Sequence, residues 1–363
     1  KVLDIITGQE SIYTCKFIFG CSGYYNYDKG YTPKFKNQSK FEGEIIHPQK
    51  WPENFNPSNK KIVVIGSGAT AVTIVPELAS KASHVTMLQR SPSYIGKWPN
   101  KDKVGNLIKS VFSKKIAHNL IRFKNILIQI FFFNLCRYFP ERMKKNIIND
   151  AKKQLGDFPV DPHFKPNYNP WEQRFCIAPD GDFFQAIRNH KASIITEHID
   201  RFTKNGIWLK SGKIIEADTI ITATGLDLLA FGGVKIKIDS KSFDVSKSFV
   251  YKGVMLSNLP NFFIFVGYTN ASWTLKIDLT NEYISRVLNY LEKQNYKVIQ
   301  VKVNEDTLSP IPLLNLDSNY INRSVNMLPK QGNEVPWRLY QNYILDFKLL
   351  RINKIKDKWL TFF

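Results

Sequence analysis

The segment from Lys60 to Ser93 constrains the fold more than any other part of the chain. It reads KKIVVIGSGATAVTIVPELASKASHVTMLQRSPS, in which a short β-rich run meets two glycines, an apolar helical repeat follows, and a second β-rich run ends at Gln89. Strand, glycine turn, helix and strand in this order predict a β-α-β unit with parallel strands.

The turn of this unit has the spacing G-x-G-x-x-A, from Gly66 to Ala71. Gly66 permits the tight turn, Gly68 lets the backbone approach a pyrophosphate, and Ala71 allows close packing of helix on strand. The free N–H groups at the start of the helix would bind the phosphates. We therefore predict a dinucleotide-binding site at Gly66, Ser67, Gly68, Ala69, Thr70, Ala71 and Val72.

The end of the second strand predicts which dinucleotide binds. NAD-preferring sites place an acid there for the ribose 2′-hydroxyl, whereas an arginine accommodates a 2′-phosphate. This chain has Gln89, Arg90 and Ser91. We therefore favour NADPH, with Arg90 and Ser91 at the cofactor; the alternative for Arg90 is a solvated surface charge.

Length and composition indicate a folded protein of more than one core. A chain of 363 residues suits two domains or one divided domain. The formal charge of +20 would suit nucleic acid or an anionic membrane, but the lysines are spread along the chain without a nucleic-acid-binding motif. We expect no nucleic-acid partner.

The cysteines and histidines indicate neither a metal site nor a dithiol. Cys15, Cys21, Cys136 and Cys176 form no C-x-x-C pair, and the six histidines form no H-E-x-x-H cluster. Without a dithiol, a thioredoxin-reductase-like activity is not expected. Single cysteines suit a reducing cytoplasm, which is the predicted location.

A basic, aromatic-rich helical insertion lies at about residues 100–170. Its uncharged run from Asn125 to Cys136 has 12 residues, fewer than the roughly 20 that a spanning helix needs. We predict a helix packed on its own domain, and peripheral membrane contact is the second, less favoured interpretation.

Other segments predict elements around this unit. Tyr13–Gly20 is expected to be a buried strand that ends at Cys21, Ser22 and Gly23. A helix is expected after Asp180, hairpin turns at Asn205-Gly206 and Ser211-Gly212, and a strand followed by a helix after Asn258. A strand ending at Thr222-Ala223-Thr224-Gly225 offers small residues that let the chain cross close to a cofactor.

The motifs together resemble the flavin-dependent Baeyer-Villiger monooxygenases, in particular the ethionamide-activating type. The pattern F-x-G-x-x-x-H-x-x-x-W-P occurs as Phe41, Gly43, His47, Trp51 and Pro52. Further similar segments are CSGYYNYDKGYTP, GSGATAVT, LQRSPSYI, NPWEQRFC, ITATGL, GYTNASWTLK and PWRLYQNY. The resemblance implies an α/β fold of two dinucleotide-binding, Rossmann-like domains that hold FAD and NADPH.

The resemblance also implies an activity. One oxygen atom of O2 would be inserted into a ketone to give an ester or lactone, or would oxidise a sulfur compound such as a thioamide. Alternatives are a related flavin-dependent N- or S-hydroxylase and a non-catalytic NADP-binding remnant.

The resemblance assigns roles to individual residues. Arg174 matches the active-site arginine, whose permanent charge would stabilise an anionic oxidant; the alternative is an ion pair with Glu172, Asp180 or Asp182. His47 would couple domain rotation to cofactor contacts, and Trp51 would anchor the linker. The cofactor-lining residues outside the glycine turn would be Ser22, Gly23, Thr224 and Gly225.

One departure concerns the FAD domain. The family carries a first G-x-G-x-x-G motif for FAD, and this sequence contains none before Phe41. The expectation is therefore an FAD domain incomplete at its N-terminus, with residues 1–52 its remnant and linker. Residues 53–225 would form the NADP domain, and residues 226–363 would return to the FAD domain and C-terminal region.

Overall fold

The computed structural model describes residues 1–303 and 308–363, which divide into two compact units. The central unit comprises Asn26–Asp227 and Leu316–Asn322, and the terminal unit comprises Lys1–Tyr25, Leu228–Asn315 and Arg323–Phe363. The assignment of residues 1–52, 53–225 and 226–363 to FAD and NADP domains stays a prediction.

The central unit is built on a five-stranded parallel sheet. Its strands run in the spatial order Ala192–Thr196, His84–Gln89, Lys61–Ile65, Thr219–Thr222 and Glu44–Ile46. The predicted β-α-β unit is confirmed, because helix Ala69–Ala79 connects strand Lys61–Ile65 to its parallel neighbour His84–Gln89.

Smaller elements complete the central unit. The predicted hairpin turns join an antiparallel sheet of Ile199–Thr203, Gly206–Leu209 and Ile214–Glu216. A parallel pair consists of Ile95–Trp98 and Cys176–Pro179. Its further helices are Lys103–Val111, Lys114–Tyr138, Pro140–Leu155, Asp182–Arg188 and Asn319–Asn322, with 3-10 turns at Gln38–Lys40 and Pro48–Lys50.

The core of the central unit lies between the parallel sheet and two of its helices. Ala71 and Val75 of the first helix pack with Phe183 and Phe184 of helix Asp182–Arg188, and all four side chains are fully buried. Burial of this apolar face, rather than helix propensity, holds the helices on the sheet.

The terminal unit contains short strands and one long helix, Trp273–Lys293. One sheet orders Val250–Tyr251, Met255–Leu256, Phe262–Ile264 and Ile18–Gly20. Other strand pairs are Val2–Leu3 with Glu10–Ser11, Lys237–Ile238 with Lys241–Ser242, Ile299–Val301 with Leu360–Phe362, and Ile311–Pro312 with Lys330–Gln331. Helix Tyr343–Phe347 and the π-helix Lys348–Ile352 follow, with 3-10 turns at Ala230–Gly233, Val245–Lys247 and Val325–Met327.

Two strands, Tyr25–Gly30 and Leu226–Leu228, include the points at which the chain passes from one unit to the other.

The terminal unit has its own core, in which Trp337, Tyr251, Tyr283 and Phe263 are fully buried.

The expectation of a buried strand over Tyr13–Gly20 is wrong. Only Ile18–Gly20 forms a strand there, and Ile18 and Phe19 are exposed. Among the described residues, this strand is the last one in its sheet and pairs with Phe262–Ile264 alone, so it has a neighbouring strand on one side only.

The helical insertion packs by one face only. Helix Lys114–Tyr138 buries Ala117, Ile126 and Cys136, whereas Phe123 and Phe131 are exposed. Within residues 1–303 and 308–363, no helix combines the length and apolar character needed to cross a bilayer.

Candidate functional site

The central sheet has a point at which its strand order reverses. From strand Lys61–Ile65 the chain proceeds to His84–Gln89 on one side, whereas Thr219–Thr222 lies on the other side. In open α/β sheets, ligands bind at the carboxyl ends of the strands at such a point. Gly66 follows one of these two strands, and Ala223 follows the other.

The glycine turn approaches the neighbouring strand end so closely that a side chain cannot fit. A Cβ atom at Gly66 would lie 2.3 Å from the carbonyl oxygen of Ala223, and Gly66 has φ 140°. Its N–H donates to the carbonyl of Leu88 at 2.9 Å. The turn is therefore fixed to both strands that flank it.

The second glycine faces open space. Gly68 caps helix Ala69–Ala79, and no heavy atom lies within 4 Å of the position that a Cβ would take. The first N–H groups of a helix have no intrahelical acceptor. The exposed backbone at Gly68, Ala69 and Thr70 can therefore receive an anionic group.

The next two residues of the predicted site face inward. Ala71 and Val72 are buried in the core, and the Val72 N–H already donates to the Gly68 carbonyl at 3.1 Å. Their contribution is to seat the helix on the sheet, which is the role that the motif gives to its final small residue.

Serine hydroxyls join the glycine turn to the loop after the second strand. The Ser67 hydroxyl donates to the Ser91 carbonyl at 2.8 Å, and the Ser93 hydroxyl donates to Ser67 Oγ at 3.1 Å. Arg90 lies in this loop with an exposed side chain. The predicted pyrophosphate turn and the predicted 2′-phosphate ligand thus belong to one hydrogen-bonded pair of loops.

Gln89 is occupied within the fold. Its side chain is 2% exposed, and its amide nitrogen donates to the His163 carbonyl and to Thr196 Oγ1, both at 2.8 Å. Of the three residues at the strand end, only Arg90 offers a charge to a cofactor.

The residues of the F-x-G-x-x-x-H-x-x-x-W-P pattern, called the fingerprint below, position the last strand of the parallel sheet. A Cβ at Gly43 would lie 2.3 Å from the Asp218 carbonyl oxygen, so this position needs glycine for strand Glu44–Ile46 to lie beside Thr219–Thr222. Phe41 is buried with its ring edge-on to Phe202. Trp51 is 38% exposed and packs edge-on against Phe55, with ring centroids 5.4 Å apart.

The fingerprint histidine makes hydrogen bonds through both ring nitrogens. His47 Nδ1 accepts from the Gln49 N–H at 3.2 Å, and Nε2 lies 3.2 Å from the Gly225 carbonyl oxygen. Because Nδ1 accepts, the neutral ring carries its proton on Nε2 and donates it to Gly225. Both nitrogens therefore serve the backbone, which suits a positioning role better than proton transfer.

Thr224 and Gly225, called the chain crossing below, are hydrogen-bonded to the segment that precedes the fingerprint. The Tyr31 N–H donates to the Gly225 carbonyl at 3.1 Å, and the Thr224 hydroxyl donates to the Tyr31 carbonyl at 2.6 Å. These two predicted cofactor residues are thus brought beside His47. The structure adds Tyr31, which no local sequence signal identifies.

Gly30 is a second residue that sequence reasoning missed. A Cβ at Gly30 would lie 1.9 Å from His47 Cε1. Glycine is therefore required for the imidazole to reach Gly225. The ring that excludes a side chain belongs to a residue 17 positions later, so local sequence gives no indication of this constraint.

Arg174 is half-buried, and its Nε donates to the Tyr320 hydroxyl at 3.0 Å. The three acids named as alternative ion-pair partners of Arg174 also accept hydrogen bonds from other groups. The Glu172 carboxylate accepts from the Asn169 N–H at 2.8 Å and from its side-chain amide at 2.9 Å. Asp180 accepts from the Asn100 N–H at 3.0 Å and Asp182 from the Phe183 N–H at 2.7 Å. Tyr320 is 146 positions away in sequence, so only the fold pairs it with Arg174.

The segment around Arg174 is rich in aromatic rings. Trp171 stacks on Phe175 at 6.0 Å between centroids, and Phe133 and Phe132 of the long helix contact Trp171 and Phe175. The Trp171 indole N–H is buried and has no hydrogen-bond partner in the described part of the chain. A buried donor without a partner is costly, so it is a candidate contact for a ligand.

Cys176 does not supply a thiolate beside Arg174. Burial raises the pKa of the thiol to about 12, although the positive charge of Arg174 acts in the opposite direction. The thiol stays protonated near neutral pH and is a packing group, since only the thiolate is a strong nucleophile.

Two of the predicted cofactor-lining residues, Ser22 and Gly23, lie at a strand end in the terminal unit. Ser22 and Gly23 follow strand Ile18–Gly20, which runs parallel to Phe262–Ile264. Gly23 has φ 70°, and a Cβ at Gly20 would lie 2.9 Å from the Phe262 ring. A turn of small residues at the carboxyl end of parallel strands fits the approach of a dinucleotide such as FAD.

Comparison with known proteins identifies the family of the chain. The sequence model of the flavin-binding monooxygenase-like family matches residues 4–266. The FAD-containing monooxygenase EthA of Mycobacterium tuberculosis is 47% identical over 357 residues, which cover 98% of this chain and 73% of that protein. The probable FAD-binding monooxygenase AlmA of Acinetobacter baylyi is 44% identical over 360 residues, which cover 98% and 72%.

Solved structures share the fold at lower identity. An oxidized steroid monooxygenase bound to NADP has a TM-score of 0.69 at 16% identity, covering 96% of this chain and 75% of that chain. OTEMO in complex with FAD and NADP has a TM-score of 0.60 at 20% identity, and this chain spans 64% of its length. The chain belongs to the flavin-binding monooxygenase-like family, and the prediction of a flavin-dependent monooxygenase with an α/β dinucleotide-binding fold is confirmed.

Proposed function

We propose that this monooxygenase uses NADPH and FAD to transfer one oxygen atom of O2 to a ketone, giving an ester or lactone, or to the sulfur of a compound such as a thioamide. One observation carries the proposal: the open glycine turn and the fingerprint histidine meet at the same short segment. Gly66 lies against Ala223, and His47 is hydrogen-bonded to Gly225 two residues later. Bound FAD would supply the redox chemistry, in which it accepts hydride from NADPH and activates O2.

The main rival is a non-catalytic remnant that binds NADP without flavin. Adding FAD to the purified chain, recording its visible absorption spectrum and then adding NADPH distinguishes the two. We expect a bound-flavin spectrum that bleaches with NADPH and recovers in air. A colourless protein that still binds NADPH would support the remnant.

Within the proposed mechanism, NADPH binds at the switch point of the central sheet. Gly66 and Gly68 let the pyrophosphate approach the helix start, where unpaired N–H groups and the helix dipole favour negative charge. Arg90 approaches the 2′-phosphate from the loop that Ser67 and Ser91 tie to the glycine turn. The planar guanidinium group of Arg90 can donate hydrogen bonds to two phosphate oxygens at once.

Replacing Arg90 by alanine should weaken NADPH binding about 10- to 100-fold, because a charge-assisted hydrogen bond contributes roughly 1.5–3 kcal/mol. NADH lacks the 2′-phosphate, so its affinity should stay nearly constant. Titration calorimetry with both dinucleotides measures the difference. The control is Arg142→Ala, which removes an exposed arginine of helix Pro140–Leu155. Equal losses for NADPH and NADH would exclude the 2′-phosphate contact.

Arg174 would provide a fixed positive charge at the site of oxygen transfer. A guanidinium stays protonated in proteins, so it stabilises a developing negative charge without losing a proton to it. The hydrogen bond from Nε to Tyr320 fixes the plane of the group. Tyr320 is therefore a positioning residue.

Arg174→Ala should lower the rate of ketone or sulfur oxygenation by about 10²–10³-fold, the usual loss of one transition-state donor. NADPH affinity should change little. Tyr320→Phe should lower kcat less, and Arg174→Lys should restore only part of the rate because lysine lacks the planar fork. Product formation from a panel of ketones and thioethers, with FAD in excess, measures these effects. Full oxygenation by Arg174→Ala would refute the role.

His47 would link the fingerprint segment to the chain crossing at Thr224 and Gly225. Its two bonds connect the turn at Gln49 with the Gly225 carbonyl, and Gly30 provides the space for its ring. This is a positioning role, because both ring nitrogens already have backbone partners.

A double-mutant cycle tests that role. Gly30→Ala should displace the imidazole and lower the free energy of unfolding by roughly 1–3 kcal/mol, the usual cost of overpacking. In a His47→Ala background the same change should cost much less, giving a coupling of roughly 0.5–3 kcal/mol. Urea denaturation measures stability, and NADPH affinity of each variant measures the effect on the site. Additive stability losses would show that Gly30 does not act through His47.

A further inference from the structure

One face of the longest helix of the insertion exposes apolar side chains from its first turn to its last. Helix Lys114–Tyr138 presents residues spaced four, three, four, four and seven positions apart, which is the period of one helix face. Their side chains are between 41% and 76% exposed. They are Ile116, Leu120, Phe123, Leu127, Phe131 and Tyr138.

The preceding helix carries a similar stripe. Helix Lys103–Val111 exposes Val104, Leu107 and Val111 by 55%, 66% and 69%. The nine side chains on the two helices are called the apolar face below. Apolar side chains exposed in a row along a helix are uncommon on monomeric soluble proteins, and large apolar patches mark interaction sites.

The charge around the apolar face indicates what covers it. Residues 101–155 contain 13 lysines and arginines against three acids, a net charge of +10, which is half of the formal charge of +20 of the chain. Lys103, Lys109, Lys115 and Arg137 are exposed on the two helices that bear the face. Lysine and arginine can extend their charged ends toward anionic headgroups while their stems cover apolar surface.

We propose that the apolar face and its basic flanks bind the surface of an anionic membrane, with the helices lying in the interface. An apolar stripe flanked by lysine and arginine is the pattern of an interfacial helix. A second copy of the chain fits less well, because two segments of charge +10 would repel each other. Nucleic acid would leave the phenylalanines and leucines uncovered. This inference is independent of the proposed substrate and residue roles.

The test is flotation of the purified chain with lipid vesicles. At about 0.1 M salt we expect it to float with vesicles of phosphatidylglycerol and phosphatidylcholine, and not with phosphatidylcholine alone. Phe123→Ser/Phe131→Ser should lower partitioning roughly tenfold or more. The matched control is Ile214→Ser/Val234→Ser, which removes two apolar side chains of similar exposure, 51% and 59%, from other surfaces and should float like the wild type.

A second pair of variants tests the basic flanks. Lys103→Glu/Arg137→Glu should abolish flotation, because both residues lie beside the apolar stripes of their helices, whereas Lys210→Glu/Lys235→Glu, with the same charge change at exposed sites elsewhere, should lower it much less. Circular dichroism checks that each variant is folded. Flotation of the Phe123/Phe131 variant equal to that of the wild type, or no flotation with anionic vesicles, would overturn the proposal. So would a wild-type dimer in light scattering that this variant converts to a monomer without vesicle binding.

Discussion

The site depends on the close approach of Gly66 to the carbonyl of Ala223. The adjacent parallel strands Lys61–Ile65 and Thr219–Thr222 end there. A Cβ atom at Gly66 would lie 2.3 Å from the Ala223 carbonyl oxygen, so no side chain fits at this position. The approach sets the direction in which helix Ala69–Ala79 leaves the sheet. Ala71 and Val72 are buried in the core and seat the helix start on the sheet, and Gly68 is left with open space beside it.

The same chain crossing is held from its other side. Ala223 contacts the glycine turn, and two residues later the Gly225 carbonyl accepts from His47 and from the Tyr31 N–H. A movement of the fingerprint segment would therefore be transmitted to the turn through three consecutive residues. This short path is a physical reason for a histidine at the entrance to the nucleotide-binding strand: it supplies one acceptor and one donor on a rigid ring.

Local patterns predicted the elements whose causes are local. The β-α-β unit, the hairpin turns and the helix after Asp180 follow from alternation, glycine and helical period within a few residues. The exposure of Ile18 and Phe19 was not predicted, because an apolar run does not reveal how many neighbours its strand will have. The family resemblance supplied Arg174 and His47, but their contacts with Tyr320, Gly225 and Gly30 join residues far apart in sequence. The one-sided packing of the long helix was likewise hidden, since hydrophobicity alone does not distinguish a buried face from an exposed one.

The surroundings of Arg174 bear on the kind of chemistry that this region can support. The guanidinium is a permanent cation held by a neutral phenol, and the nearby thiol is kept protonated by burial. Trp171 adds a buried N–H donor without a partner, on a ring packed between Phe175 and Phe133. Arg174 and Trp171 both offer donors, and neither side chain can act as a base near neutral pH. Two donors of this kind would stabilise negative charge that develops on oxygen, which is the requirement of the proposed oxygen transfer.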